Sequence, residues 1–296
     1  MPGEHPFAAG REGDKRKGEQ RLDESRSRLE REDLREEVRQ IWDAQAEWWD
    51  DKIGDGNDFQ RELVEPATER LIGDVAGATV LDVACGGGRF GRRMAELGAH
   101  VVGIDISESF IRRARQRVPA HLAERLEYHV VDAADREALL LLGTARFDGA
   151  VATMALMDMA VIEPLFEALP AILKPGGCFV FTLFHPCFEA PGVARFAESV
   201  EDETGIKTST GVKMSRYLTP EAYRGIGILG QARTHYYFHR PLQVLLGAGF
   251  RNGLVVDALE EPAYAPTDEP ATLNSVWYRP TEIPRVLAVR MRVPRG

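Results

Sequence analysis

Cysteine is scarce in this chain. Its 296 residues hold three, Cys85, Cys178 and Cys187. They form no Cys-x-x-Cys pair, which argues against a disulfide scaffold and points to a reducing compartment, so a cytoplasmic protein is expected. Positive charge is also short: 37 Lys and Arg stand against 46 Asp and Glu, a net charge of −9. Nucleic-acid binders normally carry the opposite excess, so no nucleic-acid partner is expected. No apolar run approaches the roughly 20 residues of a membrane helix, and the polar start lacks the apolar centre of a signal peptide, so no membrane partner is expected. The chain is 44% hydrophobic and 28% charged, which is ordinary for a globular protein. Its length suits one large domain, with or without an appendage.

The composition changes along the chain. Residues 1–33 are rich in balanced charge and poor in apolar side chains, which predicts a disordered or solvated arm. From there to 296 the pattern reads as one domain. A helical cap is expected over 34–72, with helices near 34–49 and 59–72, the second kinked by Pro66. A core follows over 73–184, in which strands at 79–83, 100–104, 126–131, 147–153 and 178–184 alternate with helices. Apolar strands joined by helices indicate an α/β fold with a parallel sheet covered on both faces. The alternation then stops. Residues 185–240 are too long for a plain connection and read as a lid or substrate insertion, with a short helix near 220–224. The remainder, 241–296, returns to the core with a helix and two strands.

The most informative stretch is the strand and glycine turn from Val80 to Gly91. Gly86, Gly88 and Gly91 satisfy G-x-G-x-x-G, and Asp105 ends the next strand 19 residues past Gly86. Glycines let a nucleoside cofactor approach the backbone, and the acid can take ribose hydroxyls. Dinucleotide oxidoreductases share this fingerprint. Asp82, inside the strand, favours a cofactor bearing an ammonium over an anionic pyrophosphate, and no second mononucleotide-binding half follows.

The ordered motifs Asp82-Val-Ala-Cys-Gly-Gly-Gly, Val101-Val-Gly-Ile-Asp105-Ile-Ser, Val130-Val-Asp132-Ala, Phe147-Asp148-Gly-Ala-Val and Leu173-Lys-Pro-Gly-Gly177 closely resemble those of class I S-adenosylmethionine-dependent methyltransferases of the small-molecule type. The resemblance implies a Rossmann-like sheet of seven mostly parallel strands with an antiparallel last strand, helices on both faces, a helical N-terminal segment and a lid insertion after the fifth strand. It implies S-adenosylmethionine as cofactor. Asp82, Ala84, Gly86 and Gly88 would hold its methionine moiety, Asp105 its ribose, Ile106, Asp132 and Ala133 its adenine. Thr153 and Met154 would floor the sulfur. Trp49, with Trp48, Phe59 and Arg61, would belong to a helix folded over it.

Methyl transfer from a sulfonium needs alignment and dryness more than a fixed catalytic set. A base is needed only for an acceptor that must first lose a proton. His185, directly after the fifth strand, is the candidate base or positioning residue. Tyr236, Tyr237, His239 and Asp158 are candidate substrate contacts, although Asp158 also suits a helix cap. Zinc held by His185, Cys187, His235 and His239 is weighed and set aside, so no metal is expected. The expected activity is methyl transfer to an O, N or C nucleophile of a small molecule, by a monomer or homodimer; bacterial-type secondary metabolism fits such an activity. Non-methylating use of the cofactor, such as intramolecular cyclisation, and a cofactor-organised binding protein remain alternatives. An NAD(P)-dependent oxidoreductase is the remote one.

Overall fold

The computed structural model describes residues 32–54, 56–266 and 279–295. The predicted N-terminal arm falls almost wholly outside them. A seven-stranded sheet runs in the order β3-β2-β1-β4-β5-β11-β10. Its strands are β1 (Thr79–Val83), β2 (His100–Asp105), β3 (Leu126–Val130), β4 (Phe147–Thr153), β5 (Leu173–Phe184), β10 (Val255–Glu260) and β11 (Val286–Arg292). Pairings among β1 to β5 are parallel, and β11 runs antiparallel between β5 and β10. This is the expected Rossmann-like sheet with its last strand reversed.

Two apolar layers cover the sheet. On one face Val80, Val101, Val151 and Val180 pack against α2 (Glu65–Ile72), α3 (Arg89–Glu96) and α4 (Glu108–Gln116). On the other, Leu81, Val83, Phe179 and Phe181 pack against α5 (Arg136–Leu140), α6 (Glu163–Ile172) and α7 (Leu242–Arg251). Strand alternation assigns the side chains: neighbours along β1 point to opposite layers.

The first helix, α1 (Glu32–Ile53), is longer than the sequence pattern predicts. A π-helical stretch (Gln60–Val64) runs without a break into α2, so the segment expected as one helix over 59–72 is continuous, and its ladder widens just ahead of Pro66, which has no N–H to give. The insertion after β5 folds as two hairpins, β6 (Val193–Asp202) with β7 (Gly205–Met214), and β8 (Glu221–Gly225) with β9 (His235–His239). The helix expected near 220–224 is therefore a strand. Its residues pair with Tyr236, Tyr237 and Phe238 across the hairpin, and that aromatic pairing outweighs local propensity. No helix among the described residues is long and apolar enough to cross a membrane.

Candidate functional site

Strand order reverses between β1 and β4, which are neighbours although two strands intervene in sequence. Carboxyl ends of parallel strands diverge there and leave a crevice. A cavity of about 380 Å³ occupies it. The backbones at its edge are held in an uncommon conformation. Ala84, after β1, has φ +53° and Met154, after β4, has φ +52°, and both line the cavity. Left-handed backbone at a side chain bearing Cβ is costly and clusters at ligand sites.

The glycine loop forms one wall. Gly86 and Gly87 line the cavity, and Gly88 caps α3 at φ +72°, where a Cβ would run into the Tyr128 hydroxyl. Asp105, at the end of β2, is tied to this loop. Its Oδ2 accepts from the Gly86 N–H at 2.9 Å and its Oδ1 from the Ser107 N–H at 2.9 Å. Burial nevertheless pushes its pKa up to about 6, because those two bonds only partly replace lost water. Past β3, Asp132 Oδ1 accepts from the Ala134 N–H at 2.8 Å, and its Oδ2 accepts from Arg35 at 2.5 Å.

Helix α1 closes the mouth. Val38, Trp42, Trp49 and Ile53 fall on one helical stripe, and all four line the cavity. Polar ties fix the helix in place. Asp43 accepts from the Ser107 hydroxyl at 2.6 Å, and Asp50 accepts from Arg113 at 2.8 Å and Arg117 at 2.7 Å. Tyr236 donates to Glu37 at 2.9 Å.

Ala84, Gly86, Asp105, Ile106, Asp132, Ala133, Thr153, Met154, Trp49, Tyr237 and Asp158 all line this one cavity, as does Phe59. Seven expected residues do not, among them Trp48 and Arg61, the latter exposed and bonded to Asp58. Asp82 shares the Val80 face of β1 and lies buried beneath the glycine loop. Neither of its oxygens has a well-formed hydrogen bond among the described residues, although the Gly91 N–H lies near; burial, with the Asp105 charge adding, raises its pKa to about 7. Gly88 lies behind the loop as a helix cap. His185 is buried outside the cavity, where its Nδ1 accepts from the Cys187 N–H at 3.1 Å and its Nε2 meets Glu261 at 2.8 Å. Both ring nitrogens are thus engaged, and His185 pins the end of β5. Tyr236 spends its hydroxyl on Glu37, and His239 Nε2 donates to the Tyr217 carbonyl at 2.8 Å beside a separate small crevice. Of the residues grouped in the zinc reading, His185, His235 and His239 are each held by a different partner, and no cluster of three metal-ligating side chains occurs among the described residues.

The Methyltransferase domain family model matches residues 74–225, just over half the chain. This chain belongs to the methyltransferase domain family. A solved S-adenosylmethionine-dependent methyltransferase from Mesorhizobium loti is 28% identical over 77% of this chain and 96% of its own, with a TM-score of 0.57. A ubiquinone biosynthesis O-methyltransferase from Leptothrix cholodnii is 37% identical over 37% of this chain and 45% of its own. A demethylmenaquinone methyltransferase from Clavibacter sepedonicus is 35% identical over 44% of this chain and 49% of its own. The chain spans about half the length of these curated relatives.

Some residues of this methyltransferase-domain cavity escape sequence reasoning. Arg35, Asp50, Phe184, His235 and Arg285 line it without belonging to any of the five motifs. The stripe of Val38, Trp42, Trp49 and Ile53 is the one signal that could have brought in their neighbours on α1.

Proposed function

We propose that this chain transfers a methyl group from S-adenosylmethionine to an oxygen, nitrogen or carbon nucleophile of a small molecule, releasing S-adenosylhomocysteine. The observation that carries the reading is the convergence of the Ala84–Gly87 backbone, Asp105 and Asp132 on a single cavity at the switch point of the sheet. The donor set fits the cofactor. The Gly86–Gly87 turn and the start of α3 suit its carboxylate, the Asp105 carboxylate suits vicinal hydroxyls, and Asp132 with Ala133 suits a base edge beside apolar Ile106. Asp82 acts from beneath the loop, through the potential it sets there. When bound, the cofactor supplies an electrophilic methyl on sulfonium sulfur.

The chain's own contribution is placement and exclusion of water. Trp42, Trp49 and Ile53 roof the cavity, and Thr153 and Met154 form its floor, so an acceptor meets a fixed, dry approach. The acidic charge and three free thiols support a cytoplasmic small-molecule enzyme, monomeric or homodimeric, without nucleic-acid or membrane partners.

Calorimetric titration tests the reading. Micromolar binding of S-adenosylmethionine and S-adenosylhomocysteine, without binding of NADH, is expected. NADH binding alone would return the glycine loop to the oxidoreductase case.

A further inference from the structure

Beyond the cofactor wall, the cavity holds a second carboxylate in an unusual setting. Asp158 lies in the loop between β4 and α6, and its Oδ1 is buried without a hydrogen-bond partner among the described residues. The loop is held rigidly. Buried Arg240 donates to the carbonyls of Leu156 at 3.1 Å, Met159 at 2.8 Å and Ala160 at 2.8 Å, and the Phe238 N–H donates to the Met157 carbonyl at 2.7 Å. Such anchoring on both sides of Asp158 fixes where its side chain points.

His235 stands opposite, its Nε2 3.8 Å from Asp158 Oδ1. Its tautomer follows from Gln231. The Gly227 N–H donates to Gln231 Oε1 at 2.9 Å, which turns the Gln231 amide nitrogen toward the Arg233 carbonyl at 2.5 Å and His235 Nδ1 at 2.9 Å. His235 Nδ1 is therefore an acceptor, and its proton sits on Nε2, facing Asp158. Burial pushes the His235 pKa down to about 4, so the ring is uncharged near neutrality. The other titratable groups felt at Asp158 are the Tyr223 and Tyr237 hydroxyls, whose pKa values its charge raises further. Among the described residues no cation offsets Asp158, and burial drives its carboxyl well up. Aromatic faces complete the setting: Trp42, Trp49 and Tyr237 lie within 5.5 Å, centroid to centroid, of the His235 ring.

A buried carboxylate lacking a cation is costly, and ring faces attract cations. We propose that Asp158 anchors and deprotonates a primary or secondary amine whose ammonium enters between it and the Trp42, Trp49 and Tyr237 rings, making this site an N-methylating one. The inference rests on the cofactor reading above. In the dry pocket the ammonium N–H bond breaks toward Asp158, an O–H bond forms, and the electron pair stays on nitrogen. That pair forms the new N–C bond as the C–S pair returns to sulfur, and the positive charge passes from sulfur to nitrogen. Asp158 gives its proton to water when the product leaves. His235 and Gln231 are positioning residues that keep the carboxylate turned inward without neutralising it.

The test uses the full chain with S-adenosylmethionine and a panel of phenethylamine, N-methylphenethylamine and benzylamine, beside 2-phenylethanol and benzyl alcohol. S-Adenosylhomocysteine formation is read for each. Turnover of amines and not of alcohols is expected. Asp158→Asn should lower kcat by about 100-fold, the scale of a lost general base, while its S-adenosylhomocysteine affinity stays within about twofold of the parent. Turnover of alcohols alone, or of neither set, would overturn the proposal. So would an Asp158→Asn protein that binds S-adenosylhomocysteine about tenfold more weakly, since Asp158 would then serve the cofactor. Failure of the parent chain to bind S-adenosylhomocysteine at all is a different result, and it removes the cofactor reading itself.

Discussion

The two ends of the cavity are built differently. At the cofactor end, each carboxylate lining the cavity has donors of its own: Asp105 has the Gly86 and Ser107 amides, Asp132 has Ala134 and Arg35, Asp50 has Arg113 and Arg117, and Glu65 has Arg89. At the acceptor end, Asp158 meets, among the described residues, an uncharged His235 at 3.8 Å and a set of rings. Satisfied groups hold a shape ready for a constant ligand, and an unsatisfied one asks its ligand for the missing charge. The contrast separates a preorganised half that suits a shared cofactor from a half that selects the substrate.

Variants at each end sharpen this contrast. The largest effect is expected from Asp105→Ala. It removes the charged acceptor for the ribose and unties Gly86, so S-adenosylhomocysteine affinity measured by calorimetry should fall by about 100-fold or more, the scale of two charge-assisted hydrogen bonds. An unchanged affinity would remove Asp105 from the site. Next comes pH. Asp82 and Asp105 have pKa values of about 7 and about 6 in the unliganded fold, against an ordinary 3.8. The folded state therefore keeps protons that the unfolded chain has lost, and unliganded stability falls as the pH rises from 3.8 to about 7. Ligand binding that favours the ionised forms runs the other way. S-Adenosylhomocysteine affinity should rise by more than about tenfold per unit around pH 6, where both groups are losing protons, and level off above pH 7, and a flat profile from pH 5 to 8 would break the assignment.

Two smaller effects concern the frame. Gly88→Ala forces a Cβ into left-handed backbone against Tyr128 and should lower unfolding stability by about 1–3 kcal/mol, read by denaturant titration. His185→Ala should leave turnover unchanged and cost about 1–3 kcal/mol, because the Cys187 amide and Glu261 lose their partner. A slowed reaction with unaltered stability would restore His185 to the chemistry.

The same contrast explains what the sequence could reveal. Glycine turns, strand-ending acids and their spacing are local, so Ala84, Gly86, Asp105, Ile106, Asp132 and Ala133 were legible, and strand periodicity gave the sheet. Period-two alternation could also have warned that Asp82 shares the Val80 layer and not the cavity. The acceptor end is non-local. Asp158 and His235 lie 77 positions apart, joined only when β9 docks on the loop after β4. No spacing rule reaches across that distance, so Tyr237 and Asp158 were named singly while Gln231 and the role of His235 went unseen. The place of His185 directly after β5 suits a ligand, but its spacing carries no sign that its side chain turns to Glu261. The strand at Glu221–Gly225 was hidden for the same reason: its partner, not its own propensity, decides its form.

One paired measurement reaches the central claim, that the two ends act separately. S-Adenosylhomocysteine affinity is determined side by side for the parent chain, Asp105→Ala and Asp158→Asn. Micromolar binding by the parent, loss in Asp105→Ala and retention in Asp158→Asn are expected. Equal weakening in both variants would contradict it, because the cavity would then be a single ligand site with no separate acceptor half.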